Sequence, residues 1–116
     1  MLNDEIKMIA DHYGFDAQSH MLVEEMGELI QAISKVYRTS HDHGCPCIVP
    51  NEEAVENMFE EIADVSICLS QIIYLTDCMD KVNEWREKKI KRQMERILNE
   101  HDEEMERILN EQGGVS

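Results

Sequence analysis

Carboxylates at a repeated spacing are the main chemical resource of this chain. Glu24-Glu25-Met26-Gly27-Glu28-Leu29 is echoed by Glu60-Glu61-Ile62-Ala63-Asp64-Val65, matching position by position as acid, acid, apolar, small, acid, apolar. Each segment lies in a run with apolar residues at helical spacing. In the first these are Met26, Leu29, Ile30, Ile33, Val36 and Tyr37; in the second, Met58, Phe59, Ile62, Val65, Leu69, Ile72 and Ile73. At about 100° per residue, Glu25 and Glu28 fall on one flank of the first stripe, and Glu61 and Asp64 on the same flank of the second. Residues three apart on a helix are neighbours, so burying the stripes against each other makes the two pairs converge. Four converging carboxylates repel unless a cation is held between them. An all-oxygen donor set suits a hard ion, Mg²⁺ or Mn²⁺. Gly27 and Ala63 are small enough to allow close helix approach. Since Gly costs about 1 kcal/mol in a helix interior, Gly27 points to a packing or site requirement. Solvated acidic faces on two ordinary amphipathic helices would explain one such pair, but not the whole string recurring in the same phase.

The paired motif, Glu24-Glu25-x-x-Glu28 on one helix and Glu61-x-x-Asp64 on a later one, resembles that of the MazG-like nucleotide pyrophosphohydrolases of the all-α NTP pyrophosphatase superfamily. The resemblance extends over residues 3–92, and its specific part is the motif pair. The segment between Glu28 and Glu61 is longer than usual for that family and is assigned to an inserted loop. The resemblance implies a Mg²⁺-dependent enzyme that cuts a nucleoside triphosphate between its α and β phosphates, giving a monophosphate and pyrophosphate. Glu25, Glu28, Glu61 and Asp64 would be its metal ligands and catalytic carboxylates. It further implies that the entry region containing Gln18 and His20 helps shape a base pocket, although a solvated helix start is the plainer reading of either residue. Finally, it implies a homodimer or homotetramer with active sites near subunit contacts.

Composition sets the frame for these elements. The chain has 116 residues, only two prolines and five glycines, and abundant Glu, Met, Leu, Ile and Lys, a mixture that favours an all-α protein. The expected protomer is four-helix bundle-like with a long C-terminal helix: a domain over 1–98 and a helical extension over 99–116. A net charge of -14 excludes polymeric nucleic acid as a partner. A polyanion would enter only as a metal complex or against a local cluster of Lys and Arg. No run of about 18 apolar residues and no basic-then-apolar leader is present, so the expectation is neither a membrane span nor export. Four cysteines then read as thiols in a reducing cytoplasm, with Cys68 a small buried hydrophobe in its helix.

The expected elements follow in order. Residues 3–13 form a short helix capped by Asn3, with Ile6, Ile9, Ala10 and Tyr13 on its apolar side, and Gly14 stops it. Asp16 or Ser19 caps the second helix, which runs to about Arg38. Residues 39–50 break the pattern. Within them His41, His43, Cys45 and Cys47 raise zinc, but alternate residues of an extended chain point opposite ways and the usual Cys-x₂-Cys spacing is absent, so a mobile loop without a metal is the plainer expectation; closed over the carboxylates, it would act as a lid. Asn51 caps the third helix, with Glu52 and Glu53 near its positive end. Asp80 is the candidate cap of the fourth, which carries the only concentrated positive charge. There Lys89, Arg92 and Arg96 share one side and are the candidates for substrate phosphates. Solubility and pairing with nearby Glu is the plainer reading.

Met94-Glu95-Arg96-Ile97-Leu98-Asn99-Glu100 returns as Met105-Glu106-Arg107-Ile108-Leu109-Asn110-Glu111, a period of eleven that keeps the apolar residues on one side. A stripe of that length asks for a second subunit. The leading expectation is therefore an NTP or dNTP pyrophosphohydrolase using Mg²⁺, with Mn²⁺ a substitute. The competing class is a non-catalytic helical assembly protein. A di-iron carboxylate bundle wants Glu-x-x-His, and no Glu here has a His three residues on.

Overall fold

A computed structural model describes residues 2–41 and 51–113. Its elements are helical throughout: α1 (Asp4–His41), α2 (Glu52–Thr76) and α3 (Met79–Gly113). The fold class is all-α. The His41–Cys47 loop and the last residues, Gly114 to Ser116, lie outside the described residues, apart from the backbone of His41 at the end of α1.

Local chemistry accounts for most helix ends. Asn3 Oδ1 accepts from the Ile6 amide at 2.8 Å, and Asn51 Oδ1 from the Ala54 amide at 3.0 Å, each satisfying an otherwise unpaired amide of a first turn. Gly14, at φ 85° and ψ 172°, occupies a backbone region open essentially to glycine alone. The helical backbone is broken there, so α1 comprises two helices that meet at a kink, with the first stopping at Gly14 as its sequence position predicts. α2 stops at Asp77, whose left-handed backbone turns its amide onto the Ile73 and Tyr74 carbonyls. Asp80 is not the cap of the last helix: α3 already begins at Met79, and the Val82 amide donates to the Cys78 carbonyl at 2.9 Å. Asp80 sits instead in the first turn, where the helix dipole favours its charge.

The chain divides into two units, one up to Asp77 and the other from Cys78. The position after residue 98, where the extension was expected to start, lies inside the continuous α3. In the first unit, α1 and α2 pair. Asp11 accepts from Tyr74 Oη at 2.9 Å, Gln18 Nε2 donates to Gln71 Oε1, and Glu25 and Glu28 meet Glu61. Partner numbers fall as α1 numbers rise, so the pair is antiparallel.

Its seam follows steps of four and three. On α1 it runs through Gln18, Leu22, Glu25, Leu29, Ala32 and Val36, and on α2 through Ala54, Met58, Glu61, Val65, Cys68, Ile72 and Leu75, all buried or half-buried. This corrects the expected burial. Leu29, Val36, Met58, Val65 and Ile72 of the expected stripes lie in the seam, but it also takes the residues one position, about 100°, behind Met26, Ile33, Ile62 and Leu69, so Glu25 and Glu61 stand inside it rather than beside it. Met26, Ile30, Ile33 and Tyr37 on α1, with Phe59, Ile62 and Leu69 on α2, remain exposed. Both rows come one position after their seam, and in an antiparallel pair that puts them on the same side. Close approach is made by Ala32, Ala54 and Cys68. Gly27 and Ala63 do not provide it: a Cβ on Gly27 would meet nothing within 4 Å, and Ala63 is exposed.

The second unit is α3. None of its residues is buried. Its stripe of Ile90, Met94, Ile97, Leu98, Met105, Ile108 and Leu109 is exposed along its whole length.

Candidate metal centre

The seam positions its own acidic residues. Heptad-like steps of four and three normally place apolar side chains between paired helices; here one step on each helix places a glutamate there, Glu25 facing Glu61. Glu28, one turn beyond Glu25 and exposed, completes a triad in which one oxygen from each carboxylate lies within 4.8 Å of the others. Asp64, half-buried one turn beyond Glu61, acts on the cluster through its charge, raising both Glu25 and Glu61. Its carboxylate stands outside the triad. Of the four carboxylates expected at the centre, the structure thus brings three into ligating reach and places the fourth beside them.

The electrostatics express this crowding. Glu25 is pushed from its ordinary value of 4.5 up to about 7, first by burial, then by the charges of Glu28 and Asp64 and by hydrogen bonding to Glu28. Glu61 is raised too, with burial the largest cause and Glu28 the next, while a hydrogen bond from Glu25 acts in the opposite sense. With the carboxylates ionised, Oε2 of Glu25 and Oε2 of Glu61 are both buried without a hydrogen-bond partner. Buried polar atoms are normally satisfied, and a bound cation would satisfy both. The donors fit one: they are all hard oxygens, and their spacing suits ligands about 2.0–2.6 Å from a shared ion. Cys68, buried in the next seam turns, is no competing soft ligand. Burial, then Glu25 and Asp64, pushes its thiol up.

An open groove of about 510 Å³ adjoins the triad, lined by Glu28, Gln31, Ala32, Lys35, Arg38, Asn57 and Glu61. Glu28 and Glu61 belong to both. Lys35 and Arg38 were not singled out from the sequence, where attention fell on the basic cluster of the last helix. The signal was present: Glu28, Gln31, Lys35 and Arg38 follow one another by three, four and three, and so share a helix face.

The other expected site residues lie elsewhere. Gln18 is no solvated helix start: it is buried in the seam and bonded to Gln71. His20 is exposed, with Nδ1 2.7 Å from the Asp16 carbonyl oxygen. Lys89, Arg92 and Arg96 are exposed on α3 and form no ion pair among the described residues. The ion pairs seen on that helix are Lys81 and Lys88 with Glu84, and Arg107 with Glu104. Glu24 and Glu60 are exposed.

Compared with protein-family models, curated proteins and solved structures, the chain matches none.

Proposed function

We propose that this chain is a divalent-cation-dependent nucleotide pyrophosphohydrolase, splitting an NTP or dNTP between its α and β phosphates into a monophosphate and pyrophosphate, as a nucleotide-pool house-cleaning activity. The observation that carries the reading is the triad of Glu25, Glu28 and Glu61, with two buried carboxylate oxygens lacking a partner. The likeness of the paired acidic motif to the MazG-like family supplies the reaction class. Glu25, Glu28 and Glu61 would hold Mg²⁺, or Mn²⁺ in its place, with Asp64 adding its charge or a further bond. When bound, the ion neutralises charge on the phosphate oxygens at the scission point. Glu28, exposed at the groove, is the member of the set that solvent water reaches first and is suited to orient it.

The functional form in this reading is a homodimer or homotetramer. The apolar rows on one side of the α1–α2 pair leave a layer for a second pair, and joining two pairs gives a four-helix bundle with the triads retained at the seams. Lys89, Arg92 and Arg96 are then available to substrate phosphates, from the same chain or a neighbour. The exposed stripe of α3 is the one observation that favours the alternative, a non-catalytic assembly protein.

The test is to incubate the purified chain with Mg²⁺ and each of the eight common NTPs and dNTPs and to separate the products by chromatography. Monophosphate and pyrophosphate are expected from at least one. Orthophosphate and a diphosphate as first products, or no turnover of any of the eight, would overturn the reading.

A further inference from the structure

The α1–α2 unit is a poor place for an anion. Up to Asp77 the sequence holds fifteen Asp and Glu against three basic residues, Lys7, Lys35 and Arg38. Two of those three line the groove next to the triad. Neither forms an ion pair among the described residues, although Glu28 and Glu61 line the same groove. Lys35 and Arg38 share a helix face with Gln31 and Glu28, and all four line the groove. Asn57, one turn from Glu61 on α2, and Gln31 add amide donors between the two ends. The groove thus runs from carboxylates at one end to two cations at the other, with neutral donors between.

We propose that Lys35 and Arg38, with Gln31 and Asn57, form a subsite for the distal phosphates of an oligophosphate ligand whose other end meets the carboxylate triad through a cation. This rests on the triad being a cation site, but it adds a binding surface that neither the acidic motif nor the basic cluster of α3 contains. A bare anion is repelled by the triad, and a bare cation gains nothing from Lys35 and Arg38. A metal–oligophosphate complex satisfies both ends at once. Arg38 offers a planar fork for phosphate oxygens and Lys35 a mobile point charge. The groove residues recognise the phosphate chain, which a nucleoside triphosphate and inorganic tripolyphosphate share.

The experiment is calorimetric titration of the full chain with inorganic tripolyphosphate and with the non-hydrolysable α,β-methylene analogue of dATP, each with Mn²⁺, alongside Mn²⁺ alone. Wild type should bind both polyphosphates. Lys35→Met with Arg38→Met should weaken both by about tenfold or more, leave Mn²⁺ binding intact, and be largely rescued by Lys35→Arg with Arg38→Lys. Lys7→Met, which removes one charge away from the groove, should change little. Tripolyphosphate binding, together with no turnover of any nucleotide in the Mg²⁺ product assay above, would sink the pyrophosphohydrolase reading and keep the subsite. Equal affinity in wild type and the double variant would overturn the subsite and leave that reading standing. Loss of Mn²⁺ binding in the double variant, or equal weakening by Lys7→Met, would also overturn it, the first by making the groove inseparable from the triad and the second by reducing the effect to net charge.

Discussion

Glu25 and Glu61 occupy positions that a paired-helix seam ordinarily gives to apolar side chains, and the consequences can be measured one residue at a time. Glu61→Gln should abolish Mn²⁺ binding in calorimetry while leaving the helical circular dichroism unchanged; undiminished affinity would remove Glu61 from the centre. A second expectation concerns pH. The folded chain holds the Glu25 proton up to about pH 7, whereas the unfolded chain releases it near 4.5. Between those values the folded state binds more protons, so this group's contribution to stability falls as pH rises from about 4.5 to 7 and is level above. Urea midpoints of the metal-free chain across that window should therefore decline more steeply in wild type than in Glu25→Gln. Parallel profiles would show that the carboxyl is not perturbed by folding. Mn²⁺ affinity should run the other way, increasing as pH approaches 7, because the ion competes with that proton. The acidic repeat made these residues legible in the sequence, since type and spacing alone select them. Their inward placement was not legible, because a stripe read from hydropathy centres on Met26, Ile30 and Ile33, which the pair leaves outside.

At the scale of elements, caps were the most readable feature and rotation about the helix axis the least. Asn3, Gly14 and Asn51 act through bonds or dihedrals within a few residues of themselves, so local sequence suffices. Which face of α1 meets α2 depends on both helices together, and the Gln18–Gln71 bond and the small residues Ala32, Ala54 and Cys68 decide it. Gln71 is the largest side chain fully buried in the described structure. Gln71→Leu alone strands the Gln18 amide and should destabilise the pair by about 1–3 kcal/mol. Gln18→Leu with Gln71→Leu removes both polar groups and should recover most of that loss in urea denaturation. If the double variant is no better than the single, the bond is not what fixes the seam. Gly27 offers a sharper contrast. With open space around a Cβ there, Gly27→Ala should stabilise an isolated chain by up to about 1 kcal/mol through helix propensity. A fall in stability instead would locate a second surface packed against that position.

No such surface covers the apolar rows among the described residues. These stand exposed on one side of the α1–α2 pair and again along α3. Leaving residues such as Ile97, Leu98, Ile108 and Leu109 in water forgoes about 1.5–3 kcal/mol each relative to burial. Summed over the four, that is comparable to the total stability of a small domain, about 5–15 kcal/mol. A second copy supplies matching rows by symmetry, because an interface about a two-fold axis brings the same patch from each partner. The expected outcome is that light scattering at micromolar concentration shows at least a dimer, with no stable species near the 13.5 kDa of one chain. The two exposed faces can be separated by experiment. Ending the chain after Asn99 deletes the second copy of the eleven-residue repeat and leaves the α1–α2 side intact. If the stripe of α3 drives assembly, the truncated protein becomes monomeric; if the α1–α2 rows do, it remains a dimer, and Ile30→Lys with Phe59→Lys should dissociate it instead. A full-length monomer that still hydrolyses nucleotides would refute the requirement for a partner altogether, and would mean that the exposed rows serve neither folding nor catalysis.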